Sequence, residues 1–347
     1  MDMRLALLGC GNVGRAFIAM LSEKEADLWE RHALRLTFSG GLTRAAGGWV
    51  APEGVSVRAL ADAGWPRGGV PVGAQPFSGS GVQFAASCPA DVLIEITTLD
   101  PLSGEPAMSH VAAALEAGRH VVTANKGPIA HGYRALRALA AQRGVALRFE
   151  STVMDGTPIF NLAEYALPVT QIAGFRGLLN STSNFVLTTM DTGVSLEDAL
   201  ASARALGIAE ANPAYDLDGW DASVKATVLA NVLMDGDLRP AAVSREGLGA
   251  GAMRAAHAAL PADHALRQVV EARRAPSGEV EAWVRLQALP AAEPLAHVRA
   301  GETALTLHTD TMRDLTLIEG EGGPGQTAFG LLADIVAIAR SFPRSGA

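Results

Sequence analysis

The sequence predicts an α/β protein with an N-terminal Rossmann-type parallel sheet and a second, α+β domain. Three observations predict it. A short apolar strand over 4–8 runs straight into Gly9-Cys10-Gly11-Asn12-Val13-Gly14 and then into a helical pattern reaching about residue 25. Up to residue 150, strands alternate with helices of about ten residues, the pattern of right-handed βαβ crossovers. Beyond residue 150 the strands lengthen and show two-sided patterning, which suits a mixed or antiparallel sheet.

Each element has its own warrant. Residues 34–38 read as a second strand, and the Gly/Pro-rich stretch 40–80 holds one short helical piece near 57–64. Residues 91–96 form a continuous apolar strand of the doubly covered kind and end in Thr97-Thr98. A helix over 109–117 is closed by Gly118, and the strand 120–123 ends in Ala124-Asn125-Lys126. A helix over 133–143 is closed by Gly144, and 146–149 is again strand. In the second domain 175–180, 280–289, 304–309 and 314–318 read as strands, with helices over 196–206 and 222–233. A Gly-rich turn from Gly320 to Gly325 leads to a closing helix over 327–340. The expected domains are therefore 1–150, completed by 325–347, and 151–324.

Bulk properties narrow the function. A length of 347 residues gives room for about two domains. Thirty-six acidic against 28 basic residues give a net charge of -8 and a pI near 5.5, which argues against nucleic acid or an anionic membrane as the main partner. Two cysteines, Cys10 and Cys88, cannot build a disulfide framework, and free thiols fit a reducing cytoplasm. The N-terminus shows no cationic leader with an apolar core, and no apolar run approaches the ~18 residues of a membrane span.

The motif Gly9-x-Gly11-x-x-Gly14 follows a strand and opens a helix, the context that gives it meaning. Its first glycine allows the tight turn, its second lets a pyrophosphate approach the backbone, and its third permits close helix–strand packing. The helix N-terminus, at Asn12 and Val13, adds N–H donors and positive dipole. At the end of the second strand no Asp or Glu waits for a ribose 2′-hydroxyl. The chain reads Ser39-Gly40-Gly41-Leu42-Thr43-Arg44, and a missing acid with a nearby Arg44 favours NADP(H), with NAD(H) still possible.

A second constellation lies between Gly207 and Lys225, where four carboxylates and one ammonium cluster in a chain only 18% charged. If a helix starts near Asp218 or Gly219, Asp221 and Lys225 stand four apart on one face. Such a pair can bind a charged substrate and move a proton. It can also be an ordinary ion pair at an exposed helix cap. A calcium loop at Asp216-x-Asp218-Gly219 fails the EF-hand pattern, because Thr227 stands where the closing Glu belongs. His110, His120 and His131 show no zinc spacing with the cysteines.

The chain resembles homoserine dehydrogenases over nearly its whole length. The resemblance rests on the 9–14 glycine loop, on Asp91 to Thr98, on Gly118 to Pro128, on Leu179-Asn180-Ser181-Thr182-Ser183-Asn184-Phe185 and on the 207–225 segment. It implies interconversion of L-homoserine and L-aspartate 4-semialdehyde with a nicotinamide cofactor in the aspartate-derived pathway, by a homodimer whose second domain provides catalysis and the subunit contact. It implies that Lys126 contacts cofactor and substrate and that Lys225 is the proton donor. Glu210 and Asp221 would hold the substrate's amino group, assisted by Asp216 and Thr182. Thr97, Thr98, Gly323 and Gly325 would join the cofactor site. It further implies a monovalent-cation loop, with Na⁺ held by backbone carbonyls at Glu150, Val153, Asp155 and Thr157. Met154-Asp155 departs from the small residues usual there, and the added carboxylate either strengthens the site or replaces its geometry. Ser181, Ile208 and Asn212 also depart from the usual Gly, Tyr and Asp beside the substrate pocket. The chain has no extra regulatory domain, so threonine feedback is not expected. Two alternatives stay open: a related dehydrogenase of another small amino or oxo acid, and a non-catalytic nucleotide-binding regulator on the same fold.

Overall fold

A computed structural model describes residues 1–67, 69–209, 213–246 and 249–342. It divides into two compact units, Met1–Ile159 with Gly323–Ala347, and Phe160–Gly322.

The first unit runs β1 (Asp2–Leu8), α1 (Asn12–Glu23), α2 (Glu25–His32), β2 (Arg35–Thr43), β3 (Gly47–Ser56), α3 (Val57–Asp62), β4 (Gln75–Phe77), α4 (Gly81–Ser87), β5 (Val92–Glu95), α5 (Ala107–Glu116), β6 (His120–Thr123), α6 (Lys126–Arg143) and β7 (Leu147–Arg148). These strands form one sheet in the order β4-β3-β2-β1-β5-β6-β7. From β2 to β7 every pairing is parallel, and β3 and β4 extend the β2 edge antiparallel. Alternate residues of β1 feed two separate cores. Leu5 and Leu7 pack with Phe17, Leu21 and Phe38, while Ala6 and Leu8 pack with Leu93, Val111 and Leu136. Both faces of the strand are covered, so it reads as an unbroken apolar run rather than an alternating one.

Two boundaries of this unit shift by several residues from the sequence expectation. β2 continues through Gly40 and Gly41 to Thr43, and the hairpin strand β3 follows. Those glycines look like breakers but are packing choices: a Cβ on Gly41 would sit 2.8 Å from the Trp65 ring and 2.9 Å from Trp49 Nε1. Helix α6 begins at Lys126 rather than near residue 133. Pro128 falls in its first turn, where a missing N–H costs nothing.

The second unit holds β8 (Ile172–Leu178), α7 (Ser181–Met190), α8 (Leu196–Ala205), α9 (Ala214–Leu217), α10 (Trp220–Leu233), β9 (Ser244–Glu246), α11 (Ala250–Ala258), β10 (His264–Arg274), β11 (Val280–Pro290), β12 (Thr303–Thr309) and β13 (Arg313–Glu319). Its sheet runs β13-β12-β8-β10-β11-β9, antiparallel except for the short β9–β11 pair. The register sets the two faces by the period of two. One cross-strand row, Leu307–Phe175–Ala272–Ala282, is buried, with α7 and α10 lying against β10 and β11. The next row, Thr306–Arg176–Glu271–Trp283, points to the opposite face and is mostly polar.

The chain then returns to the first unit with α12 (Pro324–Ser341). Its residues Ala328, Leu331, Leu332, Ile335 and Ile338 enter the same core as Leu5, Leu7 and Phe17. Full burial of each large side chain contributes roughly 1.5–3 kcal/mol. Among the described residues, no helix is long and apolar enough to cross a membrane.

Candidate functional site

In the first unit the glycine loop has a distinct reason for each glycine. Gly9 sits at φ +93°, and a Cβ there would lie 2.6 Å from the Ile96 carbonyl oxygen and 2.9 Å from Thr97 N. A Cβ on Gly11 would meet nothing within 4 Å, so open space lies in front of this backbone. One on Gly14 would press on Cys10 Sγ at 3.0 Å and Ile96 Cδ1 at 3.1 Å, the helix–strand contact. Helix α1 carries no side-chain cap on its first N–H groups, which leaves them to an anion. Arg15 Nη2 donates to Asn12 Oδ1 at 2.6 Å beside this opening. The open backbone, uncapped helix start and tight turn together fit a dinucleotide pyrophosphate. Burial pushes the Cys10 thiol up to about 11, so it is no nucleophile at neutral pH.

The Leu42 carbonyl accepts from Gly9 N at 2.9 Å, which brings the end of β2 level with the glycine loop. Arg44 follows at once in the hairpin turn, exposed and without an ion pair among the described residues.

The carboxyl ends of β5 and β6 are joined by a buried polar network. Glu95 is completely buried, and its Oε1 accepts from the Thr97 hydroxyl and from Thr97 N at 3.1 Å. The Thr123 hydroxyl reaches Glu95 O at 2.8 Å and Oε2 at 3.2 Å. His110 Nδ1, buried and without a hydrogen-bond partner, lies 3.6 Å from Glu95 Oε1. Asn125 Nδ2 donates to Thr97 O at 3.1 Å while Asn125 Oδ1 caps α6 through Gly127 N at 3.0 Å. Lys126, half-buried, is the first residue of that helix. Thr98 is exposed one residue beyond Thr97.

The loop from Glu150 to Thr157 is fastened to α12. Glu150 N donates to Asp334 Oδ2 at 2.9 Å, and the buried Glu150 side chain accepts from Ile159 N at 2.6 Å. Asp155 lies in the left-handed region at φ +37°, and its Oδ1 accepts from the Thr327 hydroxyl at 2.9 Å. The extra carboxylate noted in the sequence thus grips the first turn of α12, next to Gly323 at its N-cap and Gly325 in its first turn. Val153 and Met154 are buried, and Thr157 N donates to Met154 O at 2.8 Å. Among the described residues, no group of three or more His, Cys, Asp or Glu side chains could hold a metal ion.

In the second unit the acid–lysine cluster forms where β8 ends. Gly219, at φ +74°, is the N-cap of α10, so Asp221 and Lys225 share a face as the spacing predicts. Lys225 Nζ lies 3.2 Å from Asp221 Oδ2 and donates to the Leu179 carbonyl at 2.6 Å. Their side chains are 15% and 12% exposed, which excludes the reading of an ordinary surface pair. Asn180 holds the acids together: its amide donates to Asp216 Oδ1 at 2.8 Å and to Asp221 Oδ2 at 3.1 Å. Asn180 Oδ1 meanwhile caps α7 by accepting from Ser183 N at 2.8 Å. Burial first, and then the Asp221 charge, raise the Asp216 carboxyl above its usual range, against the opposing Asn180 hydrogen bond. Thr182 donates to the Ile208 carbonyl at 3.1 Å, and Gln268 braces the Asp216 and Leu217 carbonyls at 3.3 Å each. Glu210 and Asn212 lie outside the described residues.

Asn180 is a site residue that the sequence reading left without a role. Asn followed by Ser-Thr-Ser and an apolar run reads as a helix start, which marks Asn180 as an N-cap candidate. Glu95, the last residue of an otherwise apolar strand, carries no local mark of a role in the sequence.

Comparisons with known proteins agree in both units. A family model described as homoserine dehydrogenase, NAD binding domain, matches residues 9–150, and one described as homoserine dehydrogenase matches 158–336. The chain is 35% identical over 346 residues to an NAD(+)-dependent homoserine dehydrogenase of Pseudomonas canavaninivorans, covering 99% of this chain and 98% of that one. It is 31% identical over 339 residues to a homoserine dehydrogenase of Sulfurisphaera tokodaii, covering 97% and 99%. Among solved structures, a hyperthermophilic archaeal homoserine dehydrogenase in complex with NADPH superposes with a TM-score of 0.81 at 26% identity, over 99% of both chains.

Proposed function

The chain belongs to the homoserine dehydrogenase family, and from that premise we infer that it interconverts L-homoserine and L-aspartate 4-semialdehyde with NAD(P). The observation that carries the chemistry is the shielded Lys225–Asp221 pair bridged to Asp216 by Asn180. A zwitterionic amino acid needs carboxylates for its ammonium group, and a carbonyl gaining hydride needs a proton or a cation beside its oxygen. Two of the donors of Lys225 point at Asp221 and Leu179 O, which leaves a third for a substrate oxygen. Lys225 is the group that holds or delivers the proton at that oxygen. Asp221, with Glu210 and with help from Asp216 and Thr182, binds the amino group. Lys126, at the carboxyl edge of the parallel sheet, contacts cofactor and substrate. The bound nicotinamide supplies or accepts the hydride. A regulator without catalysis has no use for a shielded lysine of this kind. The test is reduced-nicotinamide absorbance with L-homoserine as substrate: turnover supports the reading, and turnover of only another small hydroxy amino acid, or of none, overturns it.

The finer assignments belong to the same reading. NADP(H) is preferred, because β2 ends level with the glycine loop without an acid and with Arg44 exposed just beyond it. The named relatives point both ways, one NAD(+)-dependent and one bound to NADPH. The cofactor also meets Thr97, Thr98, Gly323 and Gly325. The carbonyls of Glu150, Val153, Asp155 and Thr157 hold a monovalent cation without the Asp155 side chain, and activity that is indifferent to exchange of Na⁺ for a bulky organic cation would remove that site. The enzyme acts as a cytoplasmic homodimer. Its two cysteines, buried and unpaired, are compatible with a reducing compartment.

A further inference from the structure

Glu95 has no task in this chemistry, yet its carboxyl group is buried completely inside the first unit. A carboxylate with no solvent exposure is expensive to bury, by several kcal/mol, unless donors satisfy it. A leucine would complete the apolar strand Val92-Leu93-Ile94 at no such cost. We propose that Glu95 is the positioning residue for the nicotinamide side of the site: it fixes the Thr97 peptide and, through Asn125, the start of the helix that carries Lys126.

The geometry gives three consecutive links. Both Thr97 donors, backbone N–H and hydroxyl, converge on Glu95 Oε1, so the first turn after β5 has one permitted orientation. That peptide is the wall against which Gly9 packs, since a Cβ on Gly9 would lie 2.6 Å from Ile96 O and 2.9 Å from Thr97 N. From the other side, the Thr97 carbonyl accepts from Asn125, whose Oδ1 caps the helix that begins with Lys126. Thr123 closes the circuit, because its hydroxyl reaches Glu95 and also accepts from Asn125 N at 2.9 Å. One carboxylate therefore sets the relative placement of the β5 end and the β6 end, the two strand ends on the nicotinamide side. A hydrophobic residue there would hold the sheet together but would leave Thr97 free to rotate.

The proposal rests on the dehydrogenase reading, but its test includes a readout that needs no turnover. Glu95→Gln and Thr97→Val are compared singly and together, with kcat for L-homoserine and the affinities for NADPH and for ADP-ribose, which lacks the nicotinamide. Because misplacement by about 1 Å can cost on the order of 100-fold in rate, each single variant should lose about 10- to 100-fold in kcat. ADP-ribose affinity should stay within about twofold, and the double variant should be no slower than the slower single one. Thr97→Ser, which restores the hydroxyl, should recover most of the rate. Parental kcat in Glu95→Gln, additive losses in the double variant, or ADP-ribose affinity falling in step with kcat would each overturn the proposal. If Glu95→Gln fails to fold, the Thr97→Val and Thr97→Ser pair decides alone, with parental kcat in Thr97→Val as the refuting result. A parental enzyme inactive on L-homoserine refutes the substrate reading instead, and the NADPH to ADP-ribose affinity ratio still reports on Glu95.

Discussion

Lys225 divides its ammonium between Asp221 and the Leu179 carbonyl, so replacing it removes a charge held in a largely shielded pocket. Lys225→Ala should lower turnover by about 10²- to 10⁴-fold, the usual worth of a positioned proton donor, while leaving cofactor binding nearly intact. Steady-state kinetics beside NADPH titration checks this, and equal loss of both would mark the residue as structural. At the cofactor end, Arg44→Asp should move preference toward NAD, seen as the ratio of kcat/KM for the two cofactors; an unchanged ratio removes the argument for NADP. Asp216 offers a pH test. Its folded pKa is raised, so its favourable contribution is fully present below the unfolded value of about 4 and is lost as pH rises through the folded value. Asp216→Asn keeps an acceptor for Asn180 and removes that loss. The variant should therefore melt higher than the parent at neutral pH, with the gap closing toward about pH 4 and below. Thermal melts across that range that run parallel would refute it.

Among the elements, the glycine loop before α1 separates folding from binding within six residues. Gly9→Ala should destabilise the fold, because it combines a left-handed φ with a collision against the Ile96 carbonyl. Gly11→Ala has free space around its Cβ, so it should melt like the parent and still bind NADPH at least about tenfold more weakly. Equal melting of both variants, or normal NADPH affinity in the second, would contradict this. The parallel strands were legible in sequence because both faces are covered and every position of Val92-Leu93-Ile94 is apolar. β10 was not: Arg267, Gln268, Glu271 and Arg273 interrupt its pattern, and the charges of Arg267 and Glu271 are met by partners distant in sequence, Asp191 at 2.6 Å and Arg176 at 3.8 Å. Helix α7 escaped as well, since Ser181, Thr182, Thr188 and Thr189 are poor helix formers held in place by the Asn180 cap and by burial. The acid–lysine pair was visible as an i,i+4 spacing, whereas Asn180, Gln268 and the Leu179 carbonyl that organise it come from other elements and leave no mark near residue 221.

For the molecule as a whole, the homodimer proposed above would meet through the polar face of the second sheet. Trp283 lies between the Arg273 and Arg285 guanidinium groups, 5.0 and 5.1 Å from its ring, with Glu271 and Arg176 in the adjoining register. Sedimentation should report twice the 35.9 kDa chain mass, and Glu271→Arg should shift the enzyme toward the single-chain species. A single-chain species at every concentration of the parent would rule the dimer out. Helix α12 carries another consequence. The nucleotide-binding unit takes its last layer from residues 324–341, after 163 intervening residues of the other unit (160–322) have been synthesised. On the ribosome, Leu5, Leu7 and Phe17 therefore wait with one flank bare until Leu331, Ile335 and Ile338 emerge. A chain truncated before this helix would carry an uncapped hydrophobic wound, a natural target for chaperones and proteases.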